Sequence, residues 1–290
     1  MPTVFFLSDY GTQDEFVGVV HSVLTRIPPA PTVIDLTHAI APFDVRAGSH
    51  ALVRAVPYLG AGVVLAVVDP GVGSARRGLC IRVDAPGDGP TYFVGPDNGL
   101  LMAAAECAGE APVTEAFVLR PGLRPDHGRT FDGRDLFAPA AAALSRGASP
   151  FDVADPVDPT SLVRLFGAVV EQGRHHDGRP CLRAEVTWVD RFGNVQLAAT
   201  VADARAAGIP LTGSVAVTAR TEGGLDGSAL PLSLVPESVA LRCVQSFADL
   251  GRGELGLLVD ANGHLAVVAG EASAAGWLSV AAGELMVLTW

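Results

Sequence analysis

Four clusters in this sequence bring together side chains able to bind or activate a polar ligand. Asp9 stands in Ser8-Asp9-Tyr10-Gly11-Thr12-Gln13-Asp14. Asp69 opens Asp69-Pro70-Gly71-Val72-Gly73, with Arg76 close behind. Asp132 lies in Thr130-Phe131-Asp132-Gly133-Arg134-Asp135-Leu136-Phe137, and Asp190-Arg191-Phe192-Gly193-Asn194 sets a carboxylate, a ring and an amide around a glycine. Carboxylates accept hydrogen bonds from hydroxyls and amines, and a neighbouring guanidinium favours the ionised form of whatever it faces. Each cluster also has a plainer reading. Asp, Pro and Gly each favour turns for local reasons, acids ahead of the alanine-rich stretch from Ala138 suit a helix amino terminus, and Asp190 to Asn194 taken alone reads as a hairpin. Arg76, near enough to fold back and pair with Asp69, favours chemistry over a simple turn in the second cluster.

Composition removes several chemistries. No lysine occurs among the 20 basic residues, which excludes a Schiff-base lysine, a pyridoxal phosphate anchor and a P-loop lysine. The net charge of -11 and the lack of an arginine-rich run argue against nucleic acid. Cys80, Cys107, Cys181 and Cys243 are too widely spaced for a CxxC or CxxH pair, which argues against zinc and against a disulfide framework, and a reducing cytoplasm fits. His175 and His176 lie in a polar turn and read as solvated, and His127 sits in a loop near Asp132. Gly71-Val72-Gly73 follows a strand, but Arg76 replaces the third glycine of a dinucleotide fingerprint. No Gly-x-Ser-x-Gly elbow is present. No apolar run reaches the ~18 residues that would suggest a membrane span, and the chain enters a strand at Val4 without a basic leader, so a soluble protein is expected.

The elements that must position these clusters follow from periodicity. In the first half, Val4–Leu7, Thr32–Leu36 and Val63–Val68 read as strands, and Glu15–Arg26 and Val45–Tyr58 as amphipathic helices. This predicts an α/β domain with a mostly parallel sheet flanked by helices. Thr12 and Glu15 have the spacing of a capping box, which puts a helix start just beyond the Ser8–Gly11 turn. Asp9 and Asp69 then fall at the carboxyl ends of strands, where open α/β sheets bind ligands. Turn residues crowd Ser149-Pro150 and Asp155 to Pro159, and a boundary is placed near 165, giving domains 1–165 and 166–290. The second is expected to be a smaller antiparallel β domain, with strands at Leu182–Val189, Ser214–Thr218, Leu255–Val259, His264–Val268 and Leu285–Leu288.

Taken with Gly95-Pro96-Asp97-Asn98-Gly99-Leu100-Leu101, these motifs resemble, in consistent order from about residue 3 to 268, the S-adenosylmethionine hydroxide adenosyltransferases, sisters of the fluorinase and chlorinase. Any one motif is weak, whereas five in register are specific. The resemblance implies a sheet-and-helix amino domain followed by a smaller β domain. It also implies a homotrimer whose ligand lies between the amino domain of one subunit and the β domain of the next. The implied reaction is attack of water or hydroxide at C5′ of S-adenosylmethionine, releasing adenosine and methionine, with no cofactor or metal. By the same resemblance Asp9 binds the ribose diol, and Phe43 and Thr130 flank the ribose. Phe192 and Phe247 pack the adenine, Asn194 reads its edge, and Asp14 and Asp190 face the methionine amine. Asp69 and Arg76 hold the attacking water.

Two positions depart from the family pattern. Asp132 stands where the family's hydrolases carry histidine, and Ala261-Asn262-Gly263 stands where relatives often place serine to hold the methionine carboxylate. Asp132 can accept a proton or hydrogen bond from the water, while a second carboxylate near Asp69 opposes hydroxide formation. A catalytically silent protein that binds S-adenosylmethionine or adenosine is therefore the main alternative. A halogenase is disfavoured, since those relatives carry tyrosine at the position of Asp69 and lack the arginine. A calcium-dependent nucleoside hydrolase would need a denser aspartate cluster around Asp9.

Overall fold

The computed structural model describes residues 3–85, 89–109, 111–121, 128–175, 177–212, 214–215 and 239–290, and His127 and His176 lie outside them. The chain forms two units, Met1–Leu165 and Phe166–Trp290. Among the described residues no helix is long and apolar enough to cross a membrane.

In the first unit the order is β1 (Thr3–Ser8), α1 (Phe16–Thr25), β2 (Thr32–Thr37), α2 (Val45–Ala55), β3 (Val63–Val67), β4 (Gly78–Ala85), β5 (Gly89–Pro96), α3 (Met102–Gly109), β6 (Glu115–Leu119), α4 (Ala138–Ser145), α5 (Pro150–Val153) and β7 (Ala154–Val157). The strands join in one sheet ordered β2-β1-β3-β5-β4-β6-β7. The pairings β1/β2, β1/β3 and β3/β5 are parallel, whereas β5/β4, β4/β6 and β6/β7 are antiparallel. The sheet is therefore mixed rather than mostly parallel. The direction reverses because β4 and β5 are joined as a hairpin without a crossover helix, which only antiparallel neighbours allow.

Alternation along β1 sorts its side chains onto two cores. Val4 and Phe6 pack with Val20 and Leu24 of α1 and with α4, while Phe5 and Leu7 pack with Leu52 of α2 and with Leu100 and Leu101. Every residue of β3 is buried, the mark of a strand covered on both faces. Apolar side chains buried to this degree stabilise by about 1.5–3 kcal/mol each. The start of α1 differs from the expected capping box: the helix begins at Phe16, and its cap residue Glu15 makes no side-chain cap bond. Gly11 has φ +66, and its N–H donates to the His38 carbonyl at 2.8 Å, so the chain turns against the segment after β2 before a helix can begin.

The second unit contains β8 (Val170–Arg174), β9 (Pro180–Val189), β10 (Val195–Thr200), α6 (Val201–Ala207), β11 (Ser214–Val215), β12 (Leu241–Cys243), β13 (Leu255–Val259), β14 (His264–Ala269), α7 (Ala274–Leu278) and β15 (Leu285–Thr289). Its sheet runs β11-β12-β13-β14-β10-β9-β15, with β8 also on β9. All of its pairings but the parallel β12/β13 are antiparallel. Of the strand expected over 214–218, residues 214 and 215 pair, and the remainder lies outside the described residues.

Candidate active site

Because β2 and β3 flank β1 on opposite sides, the chain changes winding direction at β1, the kind of switch point at which open α/β sheets bind ligands beyond the carboxyl ends of their strands. Asp9 follows β1 and Asp69 closely follows β3, with the Asp9 N–H donating to Val67 O at 3.3 Å. Asp9 Oδ2 accepts the Phe43 N–H at 2.9 Å. Phe43 is held at φ +70, an uncommon conformation for a bulky residue, with its ring largely exposed. Asp44, next in the chain, caps α2 by accepting the Ala47 N–H at 2.8 Å, so the strained residue sits between two fixed points.

Arg76 folds back on the loop after β3. Its Nε donates to Asp69 Oδ1 at 3.0 Å, and its Nη2 donates to Asp69 Oδ2 and, at 2.7 Å, to Asp132 Oδ2. Its Nη1 donates to the Arg77 carbonyl at 3.1 Å, and the guanidinium lies over the Phe137 ring at 5.1 Å. The side chains of Asp69, Arg76 and Asp132 are all buried, so two carboxylates share one cation away from water. Burial raises the Asp69 carboxyl above the ordinary carboxylate range. Arg76 works against that shift and Asp132 adds to it.

Asp132 arrives by an unusual local structure. Residues Gly133–Phe137 form a π-helical turn that runs into α4, closed by the Ala138 N–H donating to Gly133 O. Asp132 precedes that turn but makes no side-chain cap bond, so the helix-cap reading of this carboxylate is set aside in favour of its bond to Arg76. Tyr10 fixes the turn from the other side. A Cβ on Gly133 would stand 2.0 Å from the Tyr10 hydroxyl oxygen, a contact only glycine permits. The Tyr10 ring packs on Phe16 at 5.7 Å and edge-on to Phe131 at 5.6 Å. Burial, with the charges of Asp9, Asp69 and Asp132, pushes its phenol well above the usual range, so it stays a neutral hydroxyl. Tyr10 was not singled out from sequence. Its position between a site aspartate and a glycine turn was the available signal.

The Gly95–Leu101 motif braces this end of the sheet. Asn98 Nδ2 donates to Val68 O at 2.8 Å, and Asp97 accepts from Arg77 Nε at 2.7 Å and from the Val163 N–H at 2.9 Å. Gly73, at φ +80, lies so close to Arg129 O that a Cβ would approach it to 2.9 Å, which brings the Asp69 loop against the segment leading to Thr130. Thr130 and Asp14 are both exposed.

In the second unit Asp190 closes its own hairpin. Oδ1 accepts the N–H groups of Phe192 and Asn194 at 2.9 Å each, and Oδ2 accepts Asn194 Nδ2 at 2.8 Å. The same device recurs at Asp260, whose Oδ1 accepts the N–H groups of Asn262 at 2.8 Å and His264 at 3.0 Å. The hairpin reading of Asp190 to Asn194 is thus satisfied by local bonds. Gly193, at φ +84, packs so tightly on Ser273 that a Cβ would fall 2.0 Å from its Oγ. The turn leaves the Phe192 ring 72% exposed, and Phe247, 54% exposed, begins a separate 3-10 turn. His175 is half-buried and pairs with Asp177 at 3.1 Å rather than being simply solvated.

The first unit therefore gathers Asp9, Phe43, Asp69, Arg76 and Asp132, and the second gathers Asp190, Phe192 and Asn194. Comparison with known proteins adds an independent line. The profile of the SAM hydroxide adenosyltransferase N-terminal domain matches residues 4–154, and that of the C-terminal domain matches residues 184–287. A (R)-S-adenosyl-L-methionine hydrolase of Salinispora tropica is 42% identical over 288 residues, covering 99% of this chain and 98% of its own. A fluorinase of Actinoplanes is 26% identical over 99% of this chain and 97% of its own. The crystal structure of an uncharacterized conserved protein from Thermotoga maritima superposes with a TM-score of 0.81 at 30% identity, covering 99% of this chain and 100% of that one. With both domain profiles matched in order and a relative this similar over nearly its whole length, the chain belongs to the SAM hydroxide adenosyltransferase family.

Proposed function

We propose that this protein hydrolyses S-adenosyl-L-methionine to adenosine and L-methionine. The observation that carries this reading is the buried Asp69–Arg76–Asp132 cluster at the carboxyl end of β3, beside the Asp9 turn. In the proposed reaction a water oxygen bonds to C5′ in line with the departing sulfur. The C5′–S pair returns to sulfur, turning a sulfonium into a neutral thioether, so no acid is needed at the leaving group. The water's proton passes to a carboxylate. Asp69, raised by burial, is a better base than a free aspartate, and Arg76 holds it in place through two hydrogen bonds. Two carboxylates and one guanidinium carry a net negative charge, which attracts the sulfonium cation. Proton transfer to a carboxylate, rather than a standing hydroxide, suits that charge.

The remaining assignments belong to the same reading. Asp9 takes the ribose diol between Phe43 and Thr130, Phe192 and Phe247 pack the adenine, Asn194 reads its edge, and Asp14 and Asp190 face the methionine amine. Residues 1–165 then carry ribose binding and water activation, and 166–290 adenine and methionine binding. The active form is a cytoplasmic homotrimer with its sites at subunit boundaries, and the reaction needs no cofactor. Because Asp190 and Asn194 already bond within their own turn, their contacts with ligand use the remaining lone pairs and donors.

The test is incubation of purified protein with S-adenosylmethionine, following adenosine by chromatography with and without fluoride or chloride. Adenosine formed at a rate indifferent to halide is expected. A 5′-halo-adenosine would identify a halogenase, and saturable binding without turnover would identify a silent binder; either overturns the proposal.

A further inference from the structure

Around β2, which lies across β1 from β3 and Asp69, stand three side chains that the proposed reaction does not use. His21 comes from α1, Asp35 from β2, and His38 from the turn after β2. His21 Nε2 stands 2.8 Å from Asp35 Oδ1, and His38 Nε2 stands 3.0 Å from the same oxygen. One ligand atom from each residue lies within 4.8 Å of the other two. We propose that His21, Asp35 and His38 form a binding site for a divalent transition-metal ion of the zinc class.

The orientation of His38 supports this. Its side chain is 6% exposed, and its Nδ1 lies 2.8 Å from the buried Ser8 Oγ. When Nδ1 donates its proton to that hydroxyl oxygen, Nε2 keeps the lone pair, the arrangement in which a partner on the far nitrogen sets a metal-ligating imidazole. Nε2 is buried and makes no hydrogen bond, although an Asp35 oxygen is 3.0 Å away. Asp35 Oδ1 thus faces a ring nitrogen of each histidine, a convergence that a single cation can bridge. Two imidazoles and one carboxylate are a borderline-soft donor set suited to zinc and its neighbours, with a position left open to solvent. Bonds of 2.0–2.1 Å place tetrahedral ligands about 3.3 Å apart, so the two nitrogen–oxygen separations need to lengthen by only a few tenths of an ångström. His21 and Asp35, 34% and 41% exposed, have the freedom to do so. The bound ion would tie α1 to β2 and steady His38, whose carbonyl accepts the Gly11 N–H beside Asp9.

Metal-stripped protein titrated with Co²⁺ tests the site without recourse to activity. The expected result is a visible ligand-field band saturating at one ion per chain and displaced by Zn²⁺, together with a Zn²⁺-dependent rise in melting temperature. His21→Gln and Asp35→Asn, both at the surface, should fold normally and weaken Co²⁺ binding at least tenfold. His175→Gln, at the other histidine-bearing turn, should leave it unchanged. No saturable band, a band that survives His21→Gln, or a band lost in His175→Gln instead overturns the proposal.

Discussion

Arg76 is the residue on which the proposed chemistry depends. It holds two buried carboxylates, so truncation removes both an oriented charge and the cation they share. Arg76→Ala is expected to lower adenosine release by about 10², the scale of losing one positioned electrostatic group. It should also destabilise the fold by about 3–5 kcal/mol, read as a fall in denaturation midpoint. Asp132→His places beside Arg76 a neutral imidazole that accepts a proton near pH 7, so adenosine release should rise; a rate within a factor of about two of wild type would take Asp132 out of the mechanism. For Asp69 the two pH effects have opposite signs. Its folded-state value is raised above that of the unfolded chain, so the fold prefers the protonated carboxyl. That stabilising contribution is present at low pH and is lost as pH rises through the folded value. Catalysis needs the carboxylate, so kcat/KM should fall on acidification at a pH above that of a free aspartate. An acid limb that is unchanged in Asp69→Asn would contradict the role. At Asp9, substitution by Ala leaves ribose hydroxyls unpaired in a closed site and should cost about 1–3 kcal/mol of adenosine affinity by calorimetry.

At the scale of elements, the π-helical turn ahead of α4 determines where Asp132 points, and Tyr10 determines whether that turn can form. Gly133→Ala would place a methyl group 2.0 Å from the Tyr10 hydroxyl oxygen. The expected cost is about 1–3 kcal/mol, the usual range for overpacking, with loss of activity as Asp132 shifts from Arg76. Removing the obstructing oxygen should relieve it: the double variant Gly133→Ala, Tyr10→Phe should regain part of the melting temperature lost by Gly133→Ala alone. Equal melting temperatures for the single and double variants would show that the Tyr10 contact does not control the turn. The same scale explains why the capping-box spacing at Thr12 failed. A three-residue spacing registers a local hydrogen-bond option, whereas the bond from Gly11 to His38 comes from another part of the chain and prevails.

For the whole molecule, the residues proposed to bind ligand are divided between two units, Asp9 and Asp69 in the first and Phe192 and Phe247 in the second. The proposed homotrimer would complete each site from neighbouring subunits. Light scattering should therefore give three times the 29.8 kDa chain mass, and dilution into monomer should abolish turnover. A monomer with full activity would refute it.

What was legible in the residues alone is what local pattern records. The alternation in Val4–Leu7, the uninterrupted apolar run at Val63–Val68, the turns rich in Asp and Gly, and the nearness of Arg76 to Asp69 all express short-range constraints, and those two strands appear within a residue of their expected bounds. Tertiary structure decided the rest. Whether β4 and β5 crossed over or reversed depended on a hairpin that periodicity does not encode. Asp132 meets Arg76 across 56 residues of chain, and His21 joins Asp35 and His38 from a different element. The Asp132 carboxylate was equally suited to a helix cap or a buried ion pair. Only packing of the glycine turn on Tyr10, and of Arg76 over Phe137, selects between them, because the free energy that orients a buried charge comes from neighbours brought close by the fold.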